Sequence, residues 1–164
     1  MEIRPITPTD DRMAISGVYE ESWKFAYRGI VPQDYLDSIP RGRWLPVFDV
    51  PGRHTLICMD NGRIVGTVGF GPSRIDRLDG WGEIISIYLL PDSMGKGYGT
   101  ALMNAALSEC RRLGYDNIFL WVLEENTRAR AFYERLGFLP TDDCLTDTIG
   151  GKELREVRYI HRRQ

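Results

Sequence analysis

The pattern of apolar and polar positions changes period several times along the chain. Glu2 to Ile6 reads as a short opening strand. Thr9-Asp10-Asp11 offers a cap and first-turn acids for a helix reaching about Tyr27. Its apolar positions Ile15, Val18, Tyr19, Trp23, Ala26 and Tyr27 keep a helical period, with Gly17 a mild weakness. Val31-Pro32-Gln33-Asp34 looks like a second helix start burying Tyr35, Leu36 and Ile39, after which Pro40, Pro46 and Pro51 break the pattern. His54 to Met59 and Arg63 to Phe70 are β-rich runs joined at Asp60-Asn61-Gly62, a strong hairpin signal. A polar connection follows Gly71-Pro72, and Glu83 to Leu90 then predicts a central strand.

A turn over Pro91 to Thr100 opens into a helix with Leu102, Ala105, Ala106, Cys110 and Leu113 on one face. Gly114 ends that helix, Asn117 to Val122 forms another buried strand, and Asn126 to Leu136 is a further helix stopped by Gly137. Phe138 to Pro140 and Glu153 to Ile160 supply the last two strands. This order predicts a mixed α/β sheet in one domain, residues 1–164, without repeats or linkers.

Gly95, Gly97 and Gly99 alternate directly between a buried strand and a helix. Glycine permits positive φ and close approach to bare backbone, and the first amides of a helix lack internal partners. With the helix dipole, such a loop can cradle phosphate. A P-loop is excluded because Lys96 is followed by Gly97 rather than Ser or Thr. A dinucleotide fingerprint is excluded because Thr100 and Leu102 stand where its third glycine belongs.

Two segments together resemble the GNAT family of N-acetyltransferases: Ile87-Tyr88-Leu89-Leu90-Pro91 followed by Gly95-Lys96-Gly97-Tyr98-Gly99, and Asn126 to Phe138. The resemblance is strong over about residues 54 to 138. It implies a mostly antiparallel sheet flanked by helices, with two central parallel strands splayed apart to admit acetyl-coenzyme A. It further implies that amides of Gly95, Lys96, Gly97, Tyr98, Gly99 and Thr100 hold the pyrophosphate. Ile87, Tyr88 and Leu89 would present backbone groups to the acetyl carbonyl and pantetheine arm, and Asn126 would bond a pantetheine amide. Met94 departs from the Gln or Arg that usually begins this loop, with Lys96, Arg128 and Arg130 as candidate substitutes.

Acetyl transfer to an amine needs a neutral nucleophile. An amine of pKa about 10.4 is protonated at pH 7 to an extent worth about 4.6 kcal/mol, so a general base helps. The resemblance places that base at Glu83, with Asp76 and Asp79 as weaker substitutes, and a general acid for the leaving thiolate at Tyr133. Packing is the alternative for Tyr133, helix capping for Asn126, and a solvated strand end for Glu83. Cys58 and Cys110 lie in a strand and on a buried helix face without a nearby histidine, which favours direct transfer in a ternary complex over an acyl-cysteine. Trp23 and Tyr27 share a helix face and are candidate acceptor contacts or core, and Trp81 could close over them.

Composition narrows the partners. Twenty-one basic and twenty-three acidic residues give a net charge of −2, which argues against a nucleic-acid binder with a basic surface. Three cysteines without a C-x-x-C pair, and only His54 and His161 as histidines, disfavour a disulfide framework or a metal site. No apolar run is long enough for a bilayer, and the N-terminus has no leader-like apolar core. The expectation is therefore a cytoplasmic enzyme acting on a small amine without metal, membrane or nucleic acid. A protein amine as acceptor, a non-catalytic acyl-coenzyme A sensor and a homodimer all remain open.

Overall fold

The computed structural model describes residues 1–163. Strands β1 (Glu2–Pro5), β2 (His54–Asp60), β3 (Arg63–Pro72), β4 (Gly82–Leu89), β5 (Asn117–Leu123), β6 (Leu139–Ile149) and β7 (Lys152–Arg162) form one sheet in the order β1-β2-β3-β4-β5-β7-β6. The helices are α1 (Arg12–Ala26), α2 (Gln33–Ser38), α3 (Tyr98–Arg112) and α4 (Thr127–Arg135). Every neighbouring strand pair is antiparallel except β4 and β5, which run parallel.

That parallel pair is short. Only Gly82 with Ile118 and Glu83 with Phe119 are in register, and the strands then separate. The cause lies one strand over. Gly69 of β3 pairs with Ser86, while Phe70 pairs with Ile84, so Ile85 is an extra residue in β4. A bulge of this kind bends its strand and increases local twist. Beyond it, β4 follows β3 and abandons β5.

The two faces of the sheet are covered by different helices. Leu102, Met103, Ala106 and Cys110 of α3 are fully buried against Val68, Ile84, Ile118 and Leu120, with Phe132 and Leu136 packed alongside. On the opposite face, Ile15 and Tyr19 of α1 meet Phe48 and Ile57, and Val31 and Leu36 meet Leu123 and Leu154. Asp11 caps α1 by accepting from the Ala14 amide at 3.0 Å. Its neighbour Asp10 instead accepts from Arg4 at 2.7 and 2.9 Å, tying the first strand to the start of the helix.

One expectation falls short. The run Phe138 to Pro140 proves to be the start of an eleven-residue edge strand, Leu139–Ile149. Its sequence is polar because little of it is buried, and Pro140 is tolerated at a sheet edge where a bulge interrupts pairing with β7. The overlooked signal was Gly150-Gly151, both at positive φ (60° and 82°), which closes a two-residue hairpin.

Two glycines test this packing in opposite directions. A Cβ on Gly71 would lie 2.7 Å from the Gly52 carbonyl oxygen, a backbone atom that cannot rotate away. Gly17 lies inside α1 with open space around it. Gly71→Ala should lower the unfolding free energy by about 1–3 kcal/mol, and Gly17→Ala should raise it by about 0.5–1 kcal/mol. Urea midpoints at constant slope measure both.

Candidate active site

The divergence of β4 and β5 opens a cleft of about 620 Å³. Ile87, Tyr88 and Leu89 form one wall, and their strand pairs with β3 along its other edge only. From Ile84 onward the edge facing β5 has no strand partner, which suits an extended ligand carrying amides.

One end of the cleft is the glycine loop. Gly95 and Gly97 adopt φ of 74° and 87°, a left-handed geometry that glycine reaches without strain. The first helical hydrogen bond of α3 runs from the Ala101 amide to Gly97, so the amides of Tyr98, Gly99 and Thr100 have no carbonyl of the helix to bond. Gly99 serves packing as well, since a Cβ there would meet Phe132 at 3.3 Å and Leu89 at 3.4 Å. Gly95, Gly97, Gly99 and Thr100 line the cleft, as does Met94. Lys96 and Tyr98 do not; the Tyr98 hydroxyl donates to Asp60 at 2.7 Å.

Of the candidate cations, Arg128 lines the cleft, with its guanidinium stacked 5.8 Å from the Phe25 ring centre. Arg130 turns away to donate to the Tyr159 hydroxyl (3.0 Å) and the Glu124 carbonyl (3.1 Å). Arg135, which the sequence did not single out, also reaches the cleft.

Asn126 caps α4 by accepting from the Ala129 amide at 3.2 Å. Its Nδ2 donors have no protein partner among the described residues and stay available to the cleft it lines. Tyr133 lies about two turns further along the same helix. Burial raises its phenol well above the ordinary tyrosine range, so it stays protonated. Its hydroxyl bonds no group among the described residues, and it lines the cleft. A neutral O–H without a partner is a proton donor in waiting.

The expected base is differently placed. Glu83 is 1% exposed and does not line the cleft. Arg74 donates to it from Nη2 at 2.6 Å and from Nε at 3.1 and 3.3 Å, and the Arg74 amide adds a fourth bond at 3.1 Å. Asp76 and Asp79 are exposed and outside the cleft.

Trp23 takes the core alternative. Its indole N–H donates to the Tyr88 hydroxyl at 3.1 Å, and its ring packs on Tyr27 and Trp44, within the partition between α1 and the sheet. Tyr27 does line the cleft, and burial raises its pKa well above the usual value. Tyr88 shows the same effect, pushed up to about 12 by burial. The buried thiols of Cys58 and Cys110 are held protonated, Cys110 near 12, and neither faces the cleft.

Glu156 of β7 is a second charged cleft residue that sequence reasoning missed. It sits opposite Leu123 in the β5–β7 register. Its signal was phase: counting in twos from buried Leu154, a charged residue occupies an inward position. Burial raises its carboxyl above the ordinary range, with Asp147 and Glu83 adding to the effect and Arg74 opposing it.

A sequence model of the Acetyltransferase (GNAT) family matches residues 15–138. The chain therefore belongs to the GNAT family; it is an acyltransferase, an N-acetyltransferase dependent on acetyl-coenzyme A. It is 29% identical over 119 residues to the uncharacterized N-acetyltransferase YuaI of Bacillus subtilis, covering 71% of this chain and 69% of that protein. It is 27% identical over 134 residues to the L-amino acid N-acyltransferase MnaT of Escherichia coli, covering 80% and 76%. Some relatives are longer: the chain spans 30% of the mycothiol acetyltransferase of Geodermatophilus obscurus, at 35% identity over 57% of this chain. The fold superposes on the PaiA N-acetyltransferase of Thermoplasma acidophilum, solved with coenzyme A, with a TM-score of 0.78 and 20% identity over 99% of this chain and all of that one. No helix among the described residues is long and apolar enough to cross a membrane.

Asn126 separates structure from recognition. Asn126→Ala should cost about 1 kcal/mol through loss of the cap, whereas Asn126→Asp should restore it. Thermal unfolding of the free protein reads the difference.

Proposed function

We propose that the chain transfers an acetyl group from acetyl-coenzyme A directly to the primary amine of a small molecule, both bound together in the cleft. The observation that carries this reading is the convergence, in one cleft, of an unpaired strand edge, free amides of a glycine loop and an unpartnered neutral phenol. The amides of Gly95 to Thr100 would hold the pyrophosphate, the β4 edge and Asn126 the pantetheine arm. The thioester supplies an activated acetyl group and a thiolate leaving group, to which Tyr133 donates a proton. Direct transfer is supported by the position of Cys58 and Cys110, buried away from the cleft.

A small acceptor is the reading favoured by the contact between the β6–β7 turn and the segment that joins α1 to α2. The turn between β6 and β7 sits on the α1–α2 connection: Lys152 Nζ donates to the Ile30 carbonyl at 2.9 Å, and Gly150 packs tightly against Tyr35. Ile149 joins Ile30 and Tyr35 in the same apolar cluster. A hairpin docked on that segment would limit the room for an extended peptide beside α1 and α2. MnaT, whose substrates are amino acids by name, is consistent with that scale of acceptor.

Thermal unfolding with and without acetyl-coenzyme A tests the cofactor site. At 100 times its dissociation constant the ligand should add about 2.7 kcal/mol. Gly97→Val should abolish that increment relative to its own unliganded form, because valine cannot hold φ near 87° and would reshape the amides. Tyr133→Phe should keep the increment while slowing thiol release with an amine acceptor. An increment with ATP or NAD instead of acetyl-coenzyme A would overturn the assignment.

A further inference from the structure

Two carboxylates differ in their relation to the cleft: Glu83 sits where β4 and β5 still pair, and Glu156 lies opposite Leu123 at the far end of β5. Glu83 is saturated: four donor contacts from Arg74 occupy both of its oxygens, and it is shut off from the cleft. To accept a proton from a substrate it would have to give up a charge-assisted, bidentate pair. Glu156 is the converse. It lines the cleft, is partly buried, and makes no hydrogen bond or ion pair with any described residue. An inward-facing carboxylate without a partner is rare in a folded protein because desolvating it costs free energy that nothing in the free protein recovers.

We infer that Glu156, rather than Glu83, accepts the proton from the acceptor's ammonium group. This inference rests on the transferase reading above. Glu156 Oε takes one proton from R–NH₃⁺. The freed nitrogen lone pair forms the C–N bond to the acetyl carbonyl carbon as the C–S bond breaks. The second proton lost from nitrogen is balanced by the one that reaches the departing thiolate, and Glu156 releases its own proton to solvent. The products are R–NH–acetyl, free thiol and one proton.

The surroundings of Glu156 fit this duty. The charged and titratable groups that act on it come from several elements: Asp147 of β6, Glu83 of β4, Arg74 of the β3–β4 connection, and Tyr27 at the end of α1. Burial and the two carboxylates raise its pKa, and Arg74 opposes them. A raised carboxyl is half-ionised at a pH closer to neutrality, where it is a stronger base than an ordinary glutamate. Its ionisation also costs stability as pH rises through the folded value, so removing it should not destabilise the protein at pH 8. Pocket shape adds specificity: an ammonium group beside an otherwise unpaired carboxylate gains a partner as it enters, which selects a cationic amine.

The test compares wild type, Glu156→Gln and Glu83→Gln, each first shown to be stabilised by acetyl-coenzyme A. Thiol release is followed from pH 5 to 9 with a set of small primary amines of high and low pKa. In Glu156→Gln, kcat/KM at pH 7 should fall about 100-fold for amines that are protonated at that pH. The fall should be under about tenfold for amines already neutral there, because no proton needs removing. With amines of low pKa, neutral across the range, the acidic limb of the wild-type profile should disappear as well, whereas high-pKa amines keep the limb set by their own ionisation. Independently of turnover, carbon-13 NMR of glutamate carboxyls in the free protein should show a resonance titrating above the ordinary glutamate value, missing in Glu156→Gln. A Glu156→Gln enzyme that retains both the rate and the acidic limb would overturn the inference, as would loss of that limb in Glu83→Gln alone. Absence of acetyl-coenzyme A stabilisation in the wild type would instead overturn the transferase reading itself.

Discussion

Everything distinctive about this molecule follows from two strands that stop pairing. Parallel neighbours in the middle of a sheet normally continue their ladder, because each unpaired buried backbone group forfeits a hydrogen bond. Here β4 and β5 share two register pairs and part. The extra residue at Ile85 causes the departure by bending β4 toward β3. The sheet survives because α3 and α4 fill one side of the gap with Phe132 and Leu136 while α1 seals the other with Tyr19 and Trp23. What remains is a strand edge in need of partners and a space shaped to supply them.

The polar groups around that space fall into two kinds. Some are spent on structure: Arg130 holds Tyr159 and the Glu124 carbonyl, Arg74 holds Glu83, and Trp23 holds Tyr88. Others remain uncommitted: the first amides of α3, the Nδ2 donors of Asn126, the Tyr133 phenol and the Glu156 carboxylate. The uncommitted groups all border the cleft. A fold that leaves these groups free around one cleft has kept donors and acceptors for something it does not itself contain. Low dielectric then sets their protonation, keeping the phenol neutral and the carboxyl above its usual range.

Much of this was legible in the sequence because it depends on local geometry. Alternating glycines ahead of a helix announce a backbone that must turn left-handed, and Gly95 and Gly97 do so. Asn126 before a helical run announces a cap, and it is one. Asp60-Asn61-Gly62 announces a hairpin, and Asn61 and Gly62 both take positive φ. Other readings failed where a residue's neighbours come from distant segments. Trp23 and Tyr27 share a helix face, yet only Tyr27 reaches the cleft because Tyr88 and Trp44 enclose the indole.

The amino-acid order by itself therefore determined the elements, the left-handed glycine loop and the family, since period, turn chemistry and glycine placement are properties of short stretches of chain. Only the tertiary structure decided which charges are free. Glu83 and Arg74 are nine residues apart and look no more paired than any other exposed Glu and Arg until the β3–β4 connection folds one over the other. Glu156 lies far from the rest of the site in sequence and enters the cleft because β7 is inserted beside β5, ahead of β6 in the sheet order. Solvation and pairing are set by what surrounds a group in space, and no local pattern encodes that.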